Sequence, residues 1–139
     1  MDINSKILKS TKLVAMDFDG VLTDGGIYIN DNGDNIRRMD VKDGLGLKLL
    51  QREKIFIAWI SGSNSEIINK RGTSLGITII KKGISNKKKT LKSIQDELSI
   101  NPNETVFLGD DINDLLLYCS VFSSRNSRNS FLLNCITGK

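Results

Sequence analysis

The stretch VAMDFDGVLTDGG, residues 14–26, places three aspartates and three glycines directly behind a short apolar run. A continuous apolar segment that ends in Asp and Gly is typical of a buried strand that enters a loop. The pattern therefore predicts a first strand that ends near Asp19. Because side chains two apart on a strand point to the same side, Asp17 and Asp19 are expected to share one face, with Phe18 turned into the core.

The rest of the chain alternates between strand and helix patterns. Asn32-Gly33 stands between two short alternating segments within residues 27–39 and predicts a small β-hairpin. Further strands are predicted in KIFIAWI (54–60), GITII (76–80) and TVFLG (105–109). Helices are predicted in DGLGLKLLQRE (43–53), between SNSE (63–66) and Leu75, in SNKKKTLKSIQDELSI (85–100) and after residue 109.

The predicted helices carry different signals. In the first helix, Leu45, Leu49 and Leu50 have helical spacing. The second helix opens with SNSE, residues 63–66, which matches a capping box. The third helix is basic and has one apolar face. Together with the strands, these helices predict an α/β fold with a Rossmann-like parallel sheet, helices on both faces and a hairpin inserted after the first strand.

Length and composition narrow the class of protein. The 139 residues predict one domain, residues 1–139. With 39% apolar and 26% charged residues, the composition is that of a globular protein and not of a disordered one. The sequence has no long apolar run and its start does not resemble a signal peptide, so we expect a cytoplasmic protein without membrane contact. Cys119 and Cys135 lack metal-ligand spacing and receive no role.

Polar residues follow three of the predicted strands. They are Asp17 and Asp19, Ser61 and Gly62, and Asp110 and Asp111. In parallel sheets, ligands bind outside the carboxyl ends of the strands, so these residues are expected to form one site. Clustered carboxylates repel unless a cation is present, and an oxygen-only cluster in a chain without histidine favours Mg²⁺. Because Mg²⁺ in such sites takes up substrate phosphate, the cluster indicates phosphoryl chemistry.

The phosphate of such a substrate needs its own binding groups. SGS, residues 61–63, ends a predicted strand before a helix and offers the Ser61 hydroxyl together with backbone N–H groups. Lys87, at the start of the basic helix, offers a balancing positive charge. These groups complete a candidate phosphate site.

The residues collected so far resemble the four motifs of the haloacid dehalogenase superfamily of phosphotransferases. DFDGVLTDG is similar to the first motif, Ser61 of WISGS to the second, Lys87 of GISNKKK to the third and GDDIND to the fourth. Four further segments resemble one small capless branch of this superfamily, namely DGVLTDGGIYIN, KDGLGLKLL, SLGI and KGISNKK. That branch contains the 3-deoxy-D-manno-octulosonate (KDO) 8-phosphate phosphatases and the related ketodeoxynononate and neuraminate 9-phosphate phosphatases. The resemblance covers roughly residues 10–120 and implies a sugar-acid phosphatase of lipopolysaccharide biosynthesis without a cap domain.

The resemblance also implies catalytic roles. Asp17 would attack phosphorus and form an aspartyl-phosphate. Asp19 would protonate the leaving alcohol and then activate the hydrolytic water. Ser61, the Gly62 amide and Lys87 would bind the transferring phosphoryl oxygens. Asn86, beside the third motif, is a candidate for substrate contact, as is Thr23 in the first motif.

The metal and the oligomer are implied in the same way. Mg²⁺ would be held by the Asp17 carboxylate, the Asp19 backbone carbonyl and Asp110. Asp111 and Asp114 would lie nearby, as a further ligand or as support for the ligands. In this branch the hairpin, here residues 27–39, takes part in oligomer contacts, and a homotetramer closes each site with a neighbouring chain.

Two segments depart from the family pattern. Many relatives have Arg after the glycine of the second motif, where this chain has Ser63, so a substrate contact is expected to be altered. The family pattern continues after Tyr118 with another strand and a glycine- and arginine-bearing tail. Residues 119–139 are short and polar up to Phe131 instead. We therefore expect an atypical C-terminal segment, consistent with a deletion, a truncated or frameshifted reading, or a shortened lineage.

Two other classes of function remain open at this point. A receiver-type signalling domain also combines acidic residues, Mg²⁺ and Lys in a similar sheet, but its phosphoacceptor follows the third strand and not the first. A catalytically impaired or regulatory relative could use its lysine-rich segment, residues 81–92, to bind nucleic acid. No aromatic residue interleaves with those lysines, so stacking platforms are not evident and a solvated helix face is the simpler interpretation.

Overall fold

In the computed structural model, residues 9–109 and 123–125 are described, the last three by their backbone. The elements in chain order are β1 (Leu13–Met16), β2 (Tyr28–Ile29), β3 (Asn35–Ile36), α1 (Val41–Arg52), β4 (Phe56–Ile60), α2 (Glu66–Leu75), β5 (Ile79–Lys81), α3 (Lys87–Leu98), a 3₁₀ turn (Pro102–Glu104), β6 (Thr105–Leu108) and β7 (Ser123–Arg125). Five of the strands form one parallel sheet in the order β5-β4-β1-β6-β7. This architecture confirms the predicted α/β fold.

Strand β1 lies at the centre of the sheet and is buried over its whole length. Its residues alternate between two apolar clusters, as the pleat requires. Leu13 and Ala15 belong to the cluster that contains Leu91 and Ile94 of α3. Val14 and Met16 belong to the other cluster, which contains residues of α1 and α2. Helices therefore cover both faces of the sheet, as predicted.

Helix α1 is confirmed, and of the three predicted leucines Leu50 packs against the core. Gly44 and Leu47 are buried, whereas Leu45 is 62% and Leu49 50% exposed. The reason is the close approach of α2, because a Cβ at Gly44 would lie 3.1 Å from Leu75 Cδ2. Helical spacing predicted the helix, but its buried face is set by the close packing of α2 against Gly44.

The predicted start of α2 is wrong by two residues. Ser65, and not Ser63, is the N-cap, and its side chain accepts a hydrogen bond from the Ile67 amide at 3.4 Å. The Glu66 carboxylate pairs with Lys82 and so does not fold back to complete a capping box. Helix α2 ends at Leu75, and its C-cap Gly76 has a positive φ of 72°.

Two predicted strands have different ends in the structure. Strand β1 stops at Met16, three residues before the predicted end, because the Phe18 amide donates to the Asp17 carboxylate and the backbone turns there. Strand β5 starts at Ile79, because the Ile77 amide still bonds to Gly72 at the end of α2. Phe18 is fully buried, as expected.

The hairpin is confirmed between β2 and β3, where Tyr28 pairs with Ile36 and Ile29 with Asn35. Gly33 has a positive φ of 81° in the turn. Within residues 9–109, this hairpin is what the chain inserts between β1 and α1, which agrees with the predicted capless fold.

Beyond residue 109, the structure describes strand β7. This strand pairs in parallel with β6, Phe107 facing Ser124 in register. Several predictions fall outside the described residues. They concern the helix after residue 109, the two cysteines Cys119 and Cys135, and most of the segment 119–139. In the described part of the chain, we find no helix with the length and apolar character needed to span a membrane.

Candidate active site

A cleft of about 560 Å³ opens at the carboxyl ends of β1 and β4. It lies at the position expected for a ligand site in a parallel α/β sheet. The residues that line it come from three loops, which follow β1, β4 and β5. They are Asp17, Asp19, Gly20, Gly25, Ser61, Gly62, Ser63, Ile84, Ser85 and Lys87. The structure thus brings together five of the predicted site residues, namely Asp17, Asp19, Ser61, Gly62 and Lys87.

Asp17 is held in place through its backbone and both carboxylate oxygens. Its amide donates to the Leu108 carbonyl at 2.9 Å, which continues the ladder between β1 and β6. Oδ1 accepts from the Phe18 amide at 2.6 Å, and Oδ2 accepts from Lys87 Nζ at 2.6 Å. The side chains of Asp17 and Lys87 are about nine-tenths buried. A buried carboxylate is thus paired with a buried ammonium group at the base of the cleft.

Asp19 lies nearer to the solvent, with 36% of its side chain exposed. Its Oδ1 accepts a hydrogen bond from Arg37 Nε at 2.6 Å. The sequence analysis did not find Arg37, which lies 18 residues further along the chain, beyond the hairpin strand β3. The signal that could have found it is the pairing of the hairpin strands, which returns the chain to the loop after β1.

The Ser61–Ser63 loop is fixed by its own hydrogen bonds. Ser61 is buried, and its Oγ accepts from the Ser63 amide at 3.1 Å. The Ile84 amide donates to the Ser61 carbonyl and the Gly83 amide to the Ser63 carbonyl, each at 3.0 Å. Because Ser61 Oγ acts as an acceptor in this turn, its O–H is available as a donor.

Lys87 is the first residue of α3, whose N-terminus therefore faces the cleft. The Asn86 side chain caps this helix by accepting from the Lys89 amide at 2.9 Å. Asn86 is not among the cleft-lining residues, so the structure gives it the role of a cap. The partial positive charge of a helix N-terminus adds to that of Lys87 and favours an anion here.

Thr23 and Asp24 fix the loop that follows Asp19. The buried Thr23 hydroxyl accepts from the amides of Gly20 and Gly25, at 3.1 and 3.2 Å. Asp24 accepts from the Tyr28 hydroxyl at 2.6 Å. These contacts explain both residues as parts of the loop architecture.

The acidic residues of the cleft fit a hard cation such as Mg²⁺ in their chemistry, since they offer carboxylate and carbonyl oxygens. The predicted ligands Asp110 and Asp111 and the supporting Asp114 lie outside the described residues. Within residues 9–109, no three Asp, Glu, His or Cys side chains come together as a metal site. The described part of the cleft therefore holds the Asp17 and Asp19 donors of the predicted set.

Comparison with known proteins points to one group of enzymes. The sequence is 34% identical over 106 residues to the KDO 8-phosphate phosphatase KdsC of Escherichia coli K12, a match that covers 76% of this chain and 56% of the relative. No protein-family model matches the chain. The chain thus spans little more than half the length of the curated E. coli relatives it matches.

Solved structures give the same result. The fold is similar to that of KDO 8-phosphate phosphatase from Moraxella catarrhalis in complex with a magnesium ion, a phosphate ion and a KDO molecule. The TM-score is 0.84 at 33% identity, and the match covers 93% of this chain and 75% of that one. It is also similar to the cobalt-bound form of the Haemophilus influenzae enzyme, with a TM-score of 0.81 at 33% identity over 86% of this chain and 70% of that one.

Proposed function

Because the chain belongs to the haloacid dehalogenase superfamily, in the branch of the KDO 8-phosphate phosphatases, we propose that it is a Mg²⁺-dependent phosphatase of a small sugar acid. The observation that carries the proposal is the cleft in which the buried Asp17–Lys87 pair lies beside Asp19 and Ser61. A buried carboxylate at a strand end, with cationic and hydroxyl groups around it, suits a nucleophile that attacks an anionic phosphoryl group.

In the first half of the proposed reaction, an Asp17 carboxylate oxygen attacks phosphorus and the ester P–O bond breaks. The leaving alkoxide takes a proton from Asp19, which must therefore start this step protonated. The products are the free sugar alcohol and an aspartyl-phosphate at Asp17. Splitting the hydrolysis into two displacements lowers the barrier that a direct attack by water would meet.

In the second half, water attacks the phosphorus of the aspartyl-phosphate. Asp19, now a carboxylate, accepts a proton from this water, the acyl P–O bond breaks, and inorganic phosphate leaves. Asp17 returns as a carboxylate and Asp19 as an acid, so the cycle closes. Lys87, the Ser61 hydroxyl and the Gly62 amide stabilise the charge on the transferring oxygens in both steps.

We assign the metal to the predicted donors, since their chemistry fits it. The Asp17 carboxylate, the Asp19 backbone carbonyl and Asp110 would hold Mg²⁺, with Asp111 and Asp114 beside them. When bound, Mg²⁺ supplies positive charge that neutralises the phosphoryl oxygens and the clustered carboxylates. The magnesium and cobalt ions found with the two similar structures support this assignment.

For the substrate, we propose KDO 8-phosphate or a nonulosonate 9-phosphate. The KDO molecule bound to the M. catarrhalis enzyme supports the first choice. Ser63 lines the cleft at the position where many relatives have Arg, so a difference in substrate preference is expected to arise here. The cytoplasmic location expected from the sequence stays a prediction.

We further propose that the chain assembles into a homo-oligomer through its hairpin, as the family tetramer implies. Several large apolar side chains are exposed on the hairpin and on α1, and a contact between chains would bury them. They are Ile27, Tyr28, Ile29, Ile36, Val41, Leu45 and Leu49. Light scattering coupled to size exclusion tests the proposal, which predicts a mass above the 15.4 kDa of one chain. Elution as a monomer at micromolar concentration would contradict it.

The test of the activity is phosphate release from a panel of sugar phosphates, with and without Mg²⁺, for wild type and Asp17→Asn. Asp96→Asn serves as the matched control because Asp96 lies on the exposed face of α3, where it pairs with Lys92. We expect Mg²⁺-dependent turnover that is lost in Asp17→Asn and kept in Asp96→Asn. A folded wild-type chain without turnover would favour the catalytically impaired relative instead.

A further inference from the structure

We propose that Arg37 is a positioning residue that holds the Asp19 carboxylate in the orientation from which it protonates the leaving group. This inference rests on the proposed function, because it needs Asp19 as the proton donor. It concerns a residue that none of the four sequence motifs contains. Arg37 belongs to the segment that follows β3 and contacts Asp19 from the hairpin side.

The contact between the two residues is short and sheltered. Arg37 Nε donates to Asp19 Oδ1 at 2.6 Å, and the Arg37 side chain is only 12% exposed. Arg37 Nη1 donates at 3.1 Å to Oδ1 of Asn35 in β3, so a second contact fixes the guanidinium. Within the described residues, Asp19 Oδ2 accepts no hydrogen bond. The contact therefore occupies one carboxylate oxygen and leaves the other available for proton exchange.

The backbone around Arg37 is tied to the loop that carries Asp19. Thr23 forms a β-bridge with Met39, and the Asp24 amide donates to the Arg38 carbonyl at 3.3 Å. The Thr23 hydroxyl in turn accepts from the amide of Gly20, the residue directly after Asp19. The base of the hairpin and the Asp19 loop thus form one hydrogen-bonded unit.

Asp19 needs such a partner because more than a third of its side chain is exposed. An exposed carboxylate samples several rotamers, and a proton donor acts only when it lies within hydrogen-bond reach of the leaving oxygen. Asp17, by contrast, is fixed by Phe18 and Lys87. Arg37 supplies for Asp19 the restraint that the Phe18 amide and Lys87 supply for Asp17.

This role predicts a dependence on the leaving group. A sugar alkoxide is a poor leaving group and needs the proton, whereas p-nitrophenolate or acetate leaves without one. The value of kcat/KM reports the steps up to the first irreversible one, here the departure of the leaving group, so the later use of Asp19 as a base does not enter it. Loss of Arg37 should therefore lower kcat/KM for a sugar phosphate and leave that for an activated phosphate nearly unchanged.

The experiment compares kcat/KM for KDO 8-phosphate with that for p-nitrophenyl phosphate and acetyl phosphate, either of which serves as the activated substrate. For Arg37→Met we expect a loss of about 100-fold on the sugar phosphate and less than about 3-fold on the activated one, since general acid catalysis contributes about 10²-fold or more. Asp19→Asn should show the same selective loss to a larger extent. Arg37→Lys keeps a cation and should recover part of the activity. Arg38→Met, at the exposed neighbouring arginine, is the matched control and should resemble wild type.

The outcomes separate this inference from the proposed function. Equal losses on both kinds of substrate, or no loss on the sugar phosphate, would overturn the role of Arg37 while leaving the phosphatase intact. A wild-type chain that hydrolyses none of these substrates would instead overturn the proposed function. If Arg37→Met does not fold, Arg37→Lys decides the question. For Arg37→Lys we expect an intermediate loss of kcat/KM on the sugar phosphate and nearly unchanged kcat/KM on the activated substrate. An equal loss on both substrates would overturn the role of Arg37.

Discussion

Replacing Lys87 by Met is predicted to destabilise the fold, because it leaves the Asp17 carboxylate buried without its ammonium partner. At 2.6 Å between Nζ and Oδ2, two unit charges attract by about 6 kcal/mol at an effective dielectric constant of about 20. Desolvation offsets part of this attraction, and removing one partner of a buried pair costs about 3–5 kcal/mol. Since the Phe18 amide still donates to Asp17 Oδ1, we expect the lower end, about 3 kcal/mol.

The assay is urea unfolding in EDTA, because a divalent cation would offset the lost charge. Fluorescence of Trp59, the single tryptophan and fully buried, reports unfolding. A double-mutant cycle with Lys87→Met and Asp17→Asn should show a coupling of about 2 kcal/mol, the double variant being less destabilised than the sum of the single ones. Lys92→Met is the control, because its pair with Asp96 is exposed and should contribute at most about 0.5 kcal/mol.

A loss below about 1 kcal/mol for Lys87→Met would show that the Asp17–Lys87 pair does not stabilise the fold, since breaking a buried pair should cost several times more. Strict additivity in the cycle would do the same, because it would mean that the two groups do not interact in solution.

Three further predictions concern packing, capping and pH. Gly72→Ala should lower the free energy of unfolding in urea by about 1–3 kcal/mol, because the new Cβ would overlap with Ile80 Cδ1. Gly46→Ala, with open space around its Cβ in α1, should raise it by about 0.5–1 kcal/mol. Asn86→Ala should lower the free energy of unfolding by about 1 kcal/mol, because the helix cap is lost. An unchanged unfolding midpoint together with a raised KM would instead show that the main role of Asn86 is substrate contact. Burial, together with the neighbouring Asp40 carboxylate, raises the pKa of Asp43 above its ordinary value, so its ionised form opposes folding. Asp43→Asn should therefore be more stable than wild type at neutral pH, and the difference should vanish below the ordinary pKa of aspartate; a difference independent of pH would contradict this.

The order of strands and helices along the chain and the position of the site are predictable from the sequence alone. Apolar runs that end in Asp or Ser mark β1 and β4, and the carboxyl ends of parallel strands must lie at one edge of the sheet. Asp17, Ser61 and Lys87 could therefore be grouped before any coordinates were known. The similar proteins belong to the family that these residues indicated.

The features that the sequence did not predict depend on contacts between distant segments. Whether Leu45 or Leu47 is buried depends on how closely α2 approaches Gly44, which local spacing does not contain. The contact between Arg37 and Asp19 depends on the register of the hairpin base. Tertiary packing decides such cases and local patterns do not.

The proposed reaction depends on an aspartyl-phosphate at Asp17, and this intermediate can be trapped. The protein is mixed with KDO 8-phosphate and Mg²⁺, quenched within milliseconds in acid, reduced with borohydride and digested for mass spectrometry. We expect reduction of an acyl phosphate at position 17, dependent on Mg²⁺ and absent from Asp17→Asn. Release of phosphate from the substrate without any modification of Asp17, or turnover that persists in Asp17→Asn, would contradict the proposed reaction.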